Sequence, residues 1–107
     1  MAEFQYACSL AQLQERQIVV FEGEDRVVLV AYCDGHVYCL DDVCTHDGGT
    51  LSDGRLVGCE IECPRHQARF DLRTGAARRM PATENTRAYE VKVDGDQVFV
   101  KLSNDAG

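Results

Sequence analysis

The chain has no excess of positive charge: eleven Lys and Arg stand against 18 Asp and Glu, a formal net charge of -7. Non-specific nucleic-acid binding and adhesion to anionic membranes both need a basic surface, so neither is expected. No run of 18 apolar residues is present, which excludes a helical membrane span. The opening residues, Met1-Ala2-Glu3-Phe4-Gln5, hold neither a basic nor an apolar leader region. No secretory signal is therefore visible, and a cytoplasmic protein is expected. In that compartment the six cysteines should be reduced unless they hold metal. There is no internal repeat and no low-complexity tract, and only two prolines occur. With 107 residues there is no room for separate cofactor and substrate domains. Apolar residues still make up 45%, enough for a core. A domain this small buries a modest share of its surface, so a tight internal cofactor would help hold it.

The two outer parts read as β-structure. Residues 17–21 are apolar and β-branched. Residues 26–33 and 36–40 flank Asp34-Gly35, and residues 88–93 and 97–102 flank Asp94-Gly95. An Asp-Gly pair between such runs is a strong hairpin signal. With Asp94-Gly95 as the loop, Val93 would face Asp96, Val91 would face Val98 and Tyr89 would face Val100. One side of that ribbon is then Tyr89, Val91, Val93, Val98 and Val100, and the other is mostly polar. Residues 12–16 are weakly helical. Between about 41 and 82 glycines gather, both prolines appear and β-branched residues thin out. So long a stretch without periodicity is usually functional. The expectation is an all-β single domain over 1–107. Its scaffold, a small antiparallel β-sandwich, spans about 1–40 and 83–107 and carries a loop insert over about 41–82.

The insert contains Cys44-Thr45-His46, a gap of sixteen residues, and Cys63-Pro64-Arg65-His66. Two thiolates and two imidazoles at these spacings can enclose one metal site. Structural zinc takes such a set. A two-iron, two-sulfide cluster takes it too, with the cysteines on one iron and the histidines on the other. The ligand types alone leave both open. Only His36 is left over, so a second site of two histidines and one carboxylate cannot be assembled. That argues against an enzyme of the iron-oxygenase kind.

The spacing of Cys44, His46, Cys63 and His66 resembles the Rieske iron–sulfur signature. Gly48, Leu51-Ser52-Asp53-Gly54, Ile61, Phe70-Asp71, Thr74-Gly75 and Met80-Pro81-Ala82 fall where Rieske ferredoxins carry similar residues. The resemblance implies a β-sandwich with a cluster-binding loop subdomain and one [2Fe-2S] cluster. Cys44 and Cys63 would hold the inner iron, and His46 and His66 the outer. It also implies an electron carrier, not a catalyst, serving a bacterial ring-hydroxylating system. A flavin-dependent reductase would stand on one side and a terminal oxygenase on the other. A monomer is expected. The alternatives are a Rieske ferredoxin with a housekeeping or iron–sulfur-assembly role and a zinc-stabilised binding module. A small subunit of a nitrite-reductase-like complex shares the fold, but its members often lack the ligands.

Departures from the respiratory version of the motif refine this. Gly49 and Arg65 stand where that version carries a bridging cysteine pair, and Ala68 and Phe70 where it carries hydroxyls. Fewer hydrogen bonds to the cluster imply a potential near the low end of the Rieske range, about -150 mV. Gln67 occupies a position that is often glycine, and a positive φ there would strain it. A Cys33–Cys39 disulfide is disfavoured, because hairpin register puts the two on opposite faces. Cys8 and Cys39 read as core residues, Cys59 as a non-ligand and His36 as exposed. Six arginines between 55 and 79 face only three acids, leaving +3 there and -10 elsewhere, while Asp41, Asp42, Asp47 and Asp53 surround the first ligand segment. Opposite charge on the two loops reads either as a mixed solvated surface or as a polarised face that would orient a transient partner.

Overall fold

The computed structural model describes residues 4–24, 26–43, 50–64, 67–79 and 85–102. Strand β1 (Phe4–Ser9) leads into α1 (Leu10–Arg16), the one helix among the described residues. The Ser9 hydroxyl accepts from the Gln12 N–H at 3.1 Å and so caps the first turn. The helix stops at Gln17, whose φ of 71° turns its N–H back onto the Leu13 carbonyl at 2.7 Å. Leu13 is its single buried residue. The helix covers two residues more than the sequence reading allowed, because Leu10 and Ala11 were read without their cap.

Next come β2 (Ile18–Glu22), β3 (Val27–Cys33) and β4 (His36–Asp41). Cys33 pairs with His36 and Val30 with Cys39, the register that Asp34-Gly35 predicted. Strands β9 (Ala88–Asp94) and β10 (Gln97–Lys101) form the last hairpin. Here Val93 pairs with Val98 and Val91 with Val100, two residues away from the predicted pairing. The turn is Gly95-Asp96, with Gly95 at φ 63°. A shift of two keeps every side chain on its face, so Val98 and Val100 are buried as expected. Val93, at the ribbon's end, is exposed.

These strands make one six-stranded antiparallel sheet in the order β1-β10-β9-β4-β3-β2, curled so that β1 also approaches β2. Strand β3 is buried on both faces, which explains its unbroken apolar run. Val28 and Val30 point to a core shared with Cys39, Val98, Val100, Cys8 and Leu13. Leu29 and Ala31 point to a second core.

That second core is roofed by a four-stranded sheet that the sequence reading described only as irregular loop. Strands β5 (Arg55–Val57), β6 (Glu60–Glu62), β7 (Arg69–Asp71) and β8 (Ala77–Arg79) pair in chain order. Three-residue strands are too short to show a period of two. Leu56, Ile61, Phe70 and Ala77 lie in one row across it and pack toward Leu29, Ala31 and Leu40. Gly54 is needed at its edge, since a Cβ there would strike the Glu62 carbonyl.

Candidate metal centre

Strand β6 delivers Cys63, which is fully buried beside Leu51, Ala68 and Phe70. The chain then reverses. The Gln67 N–H donates to the Cys63 carbonyl at 2.9 Å, and the Cys63 N–H donates to the Ala68 carbonyl at 2.7 Å. The reversal puts Gln67 at φ 63°, so the second ligand segment does demand the left-handed region at the position where glycine is common. A non-glycine residue there costs about 1–3 kcal/mol, and glycine itself gives back up to about 1 kcal/mol in chain entropy. Gln67→Gly is therefore expected to stabilise the protein by about 0.5–1 kcal/mol, measured as a higher urea midpoint. An unchanged or lower midpoint would show that the Gln67 side chain compensates.

Asp42 and Ser52 flank the first candidate segment. Asp42 is buried, and its carboxylate accepts from both the N–H and the hydroxyl of Ser52, each at 2.7 Å. Residues ten apart are thus held together around 44–49. Thr50 donates to Asp53 at 2.6 Å. An open cleft of about 330 Å³ lies beside Cys63, with Asp53, Gly54 and Arg55 on one side and Glu62, Cys63, Pro64 and Gln67 on the other.

Of the four ligand candidates, Cys63 lies within this description. Cys44, His46 and His66 lie outside the described residues, as do Arg65, Asp47, Gly48, Gly49 and the Met80-Pro81-Ala82 segment. The donor chemistry of the described part fits an iron–sulfur group. A buried sulfur sits among apolar side chains, on a loop closed by backbone bonds, beside an open cleft.

The remaining cysteines divide in a way the sequence reading did not foresee. Cys8 and Cys39 are core residues as expected. Burial, with some help from Asp41, pushes the Cys39 thiol up to about 12. Cys33 and Cys59, expected to be reduced, are instead joined in a disulfide with Cα atoms 5.7 Å apart. The turn between β5 and β6 lands on the end of β3, an apposition no local spacing announces. His36 is exposed, as expected.

The arginine-rich stretch proves to be organised on two carboxylates. Arg55 and Arg69 donate to Glu62 at 2.9 and 3.1 Å. Arg73 and Arg78 reach Asp71, each at 3.3 and 3.2 Å respectively in ion-pair contact. Burial would raise the Asp71 carboxyl, but the hydrogen bonds from Arg73 and Arg78 outweigh it and hold the group below the usual range. A lowered folded-state pKa contributes stability that is fully present above the unfolded value, about 3.9, and is lost as pH falls through the folded one. Between about pH 4 and the folded pKa, the urea midpoint of the parent should therefore drop with pH more steeply than that of Asp71→Asn. Parallel curves would remove Asp71 from the acid response.

A family model described as Rieske [2Fe-2S] domain matches residues 3–100. The ferredoxin component of the naphthalene 1,2-dioxygenase system of Pseudomonas aeruginosa is 39% identical over 97 residues, covering 91% of this chain and 93% of the relative. The ferredoxin of carbazole 1,9a-dioxygenase from Nocardioides aromaticivorans IC177 superposes with a TM-score of 0.85 at 34% identity, over 91% of this chain and 95% of that one. A chain from the complex of reduced oxygenase and oxidized ferredoxin in carbazole 1,9a-dioxygenase superposes with a TM-score of 0.86 at 29% identity, over 92% of each.

Proposed function

The chain belongs to the Rieske [2Fe-2S] family, and from that premise we propose that it is a ferredoxin carrying single electrons from a flavin-dependent reductase to a terminal non-heme iron, aromatic-ring-hydroxylating oxygenase. The observation that carries this reading is the 39% identity, across 91% of the chain, to a ferredoxin component of such a system. In this proposal Cys44 and Cys63 hold the inner iron of one cluster, and His46 and His66 hold the outer iron. The group supplies a one-electron centre that passes from formally neutral to -1 on reduction. The chain's own part is to hold and shield it. Strand β6 and the Cys63–Ala68 reversal aim one sulfur. Leu51, Phe70 and Leu72 keep water from behind it. Asp42 and Ser52 hold together the two ends that flank the other segment. The exposed Asp53 and the arginines of the small sheet, two to each carboxylate, orient the partner in the cytoplasm, where the carrier is placed by this reading. The docking charge should make the rate of electron delivery depend on salt; a flat dependence would remove the electrostatic part.

The reading is tested on purified protein by measuring iron, acid-labile sulfide and the EPR spectrum after dithionite reduction. Two irons, two sulfides and a rhombic signal are expected. A colourless sample with one zinc per chain and no sulfide would overturn it in favour of a zinc-held module. Ala68 and Phe70 are both buried with Cys63 and have no hydroxyl to offer. The midpoint potential is therefore expected near the low end of the Rieske range, about -150 mV, read by film voltammetry. A potential above about +100 mV, well inside the upper part of that range, would contradict the account of the pocket.

A further inference from the structure

The Cys33–Cys59 disulfide stands where the two sheets meet. Cys33 ends β3 and Cys59 lies in the turn between β5 and β6, so the bond joins the six-stranded scaffold to the sheet that carries Cys63. Apolar packing also holds the two together, with Leu29, Ala31 and Leu40 on one side and Leu51, Ile61 and Phe70 on the other, as do hydrogen bonds from the Thr86 N–H to the Gly75 carbonyl and from the Ala77 N–H to the Asn85 side chain. The bond closes a segment with a sequence separation of 26, and Cys44 and His46 both fall inside it.

Both cysteines pack against this core without being enclosed by it. Both cysteines are only partly buried, and the turns beside them, Asp34-Gly35 and Gly58, are exposed. A Cβ added at Gly35 or at Gly58 would meet no atom within 4 Å, so another molecule can approach along either turn. His36 is paired directly opposite Cys33, on the same face of the hairpin. Cys8 and Cys39 differ on every count, being enclosed in the other core.

We propose that Cys33 and Cys59 form a second redox site, a two-electron thiol–disulfide couple that takes a dithiol as its reductant and tethers the ligand-bearing segment. A thiolate of the dithiol attacks one sulfur of the pair. The Cys33–Cys59 bond breaks, and a mixed disulfide forms while the other cysteine leaves as thiolate and takes a proton. The second thiol of the reductant then attacks the mixed disulfide, freeing the remaining cysteine. Two electrons and two protons reach Cys33 and Cys59, and the dithiol departs as its own disulfide. An external disulfide of the same class reverses the sequence. With the bond open, strand pairing and apolar packing still hold both ends of the segment from 33 to 59, but the covalent link between the two sheets is gone. The consequence for metal retention rests on the ferredoxin reading above; the couple itself does not.

The test uses the full-length protein as purified. Native alkylation with iodoacetamide, followed by peptide mass mapping, should label neither Cys33 nor Cys59 before dithiothreitol treatment and both after it, with Cys8 and Cys39 unlabelled throughout. Iron release to a chelator, with the centre oxidised, should be roughly threefold faster or more from Cys33→Ser/Cys59→Ser than from the parent, as expected when a local opening loses a covalent restraint. Trypsin cleavage after Arg55, whose side chain is 74% exposed inside the closed segment, should quicken in the same variant and in the dithiothreitol-treated parent. Cleavage reads the tether without any metal. Labelling of both cysteines without reductant, a bond that dithiothreitol fails to open, or release and cleavage at the parent rates would each overturn the proposal. A sample that contains no iron yet passes the labelling and cleavage tests would sink the ferredoxin reading and leave the couple standing.

Discussion

Cys63→Ser is expected to give a colourless protein that retains no stoichiometric iron or sulfide and shows no rhombic signal on reduction. A serine hydroxyl stays protonated where a thiolate is needed, and it is a poor match for a soft site. The substitution also places a hydroxyl in the core formed by Leu51, Ile61, Ala68 and Phe70. Without a good partner it costs about 1–3 kcal/mol there. The variant should therefore fold with a lower urea midpoint even when compared with metal-free parent protein. Cys39→Ala is the control. Cys39 is equally buried, but in the other core, and its thiol is pushed up to about 12, so it stays neutral. That variant should keep its colour. A Cys63→Ser protein with full iron and sulfide would remove Cys63 from the ligand set.

Phe70→Ala is expected to cost about 3–5 kcal/mol, a large part of the 5–15 kcal/mol that holds an ordinary domain together. Phe70 heads the fully buried side chains by volume. It sits in the row between Ile61 and Ala77, against Leu29, Ala31 and Leu40 of the scaffold. Loss should fall first on the four-stranded sheet, because the scaffold has its own core around Val28, Val30, Val98 and Val100. Hydrogen exchange should show the amides of β5 to β8 opening while those of β3 and β10 stay protected. A loss of less than about 1 kcal/mol, or uniform opening of both sheets, would refute the division of labour between the cores.

Much of the scaffold was legible because its signals are local. Asp34-Gly35 between two apolar runs dictates the pairing of Cys33 with His36. That register alone puts Cys33 and Cys39 on opposite faces. The last hairpin shows the limit of the same logic. Asp94, Gly95 and Asp96 offer two possible turns; the Asp-Gly signal pointed to the first, and the folded hairpin takes the second, pairing Val93 with Val98 and Val91 with Val100. Side-chain faces are blind to that even shift, so the apolar pattern could not distinguish the two. The cluster-side sheet escaped detection because three residues per strand are too few for periodicity. Gln67 is the intermediate case. The sequence posed its strain as a conditional, and the backbone bonds of Cys63 with Gln67 and Ala68 decided it.

Spacing along the chain was sufficient to nominate Cys44, His46, Cys63 and His66 as a ligand set, because ligand reach and turn chemistry operate over a few residues; the electron carrier came from the resemblance of that spacing to the Rieske signature. Contacts between distant segments were decided only on folding. Cys59 meets Cys33 across a sequence separation of 26, Asp42 closes on Ser52, and Arg55 and Arg69 converge on Glu62 because strand pairing lines them up in one row. Such meetings depend on how two sheets stack, and stacking is set by the summed burial of many side chains, not by any short motif.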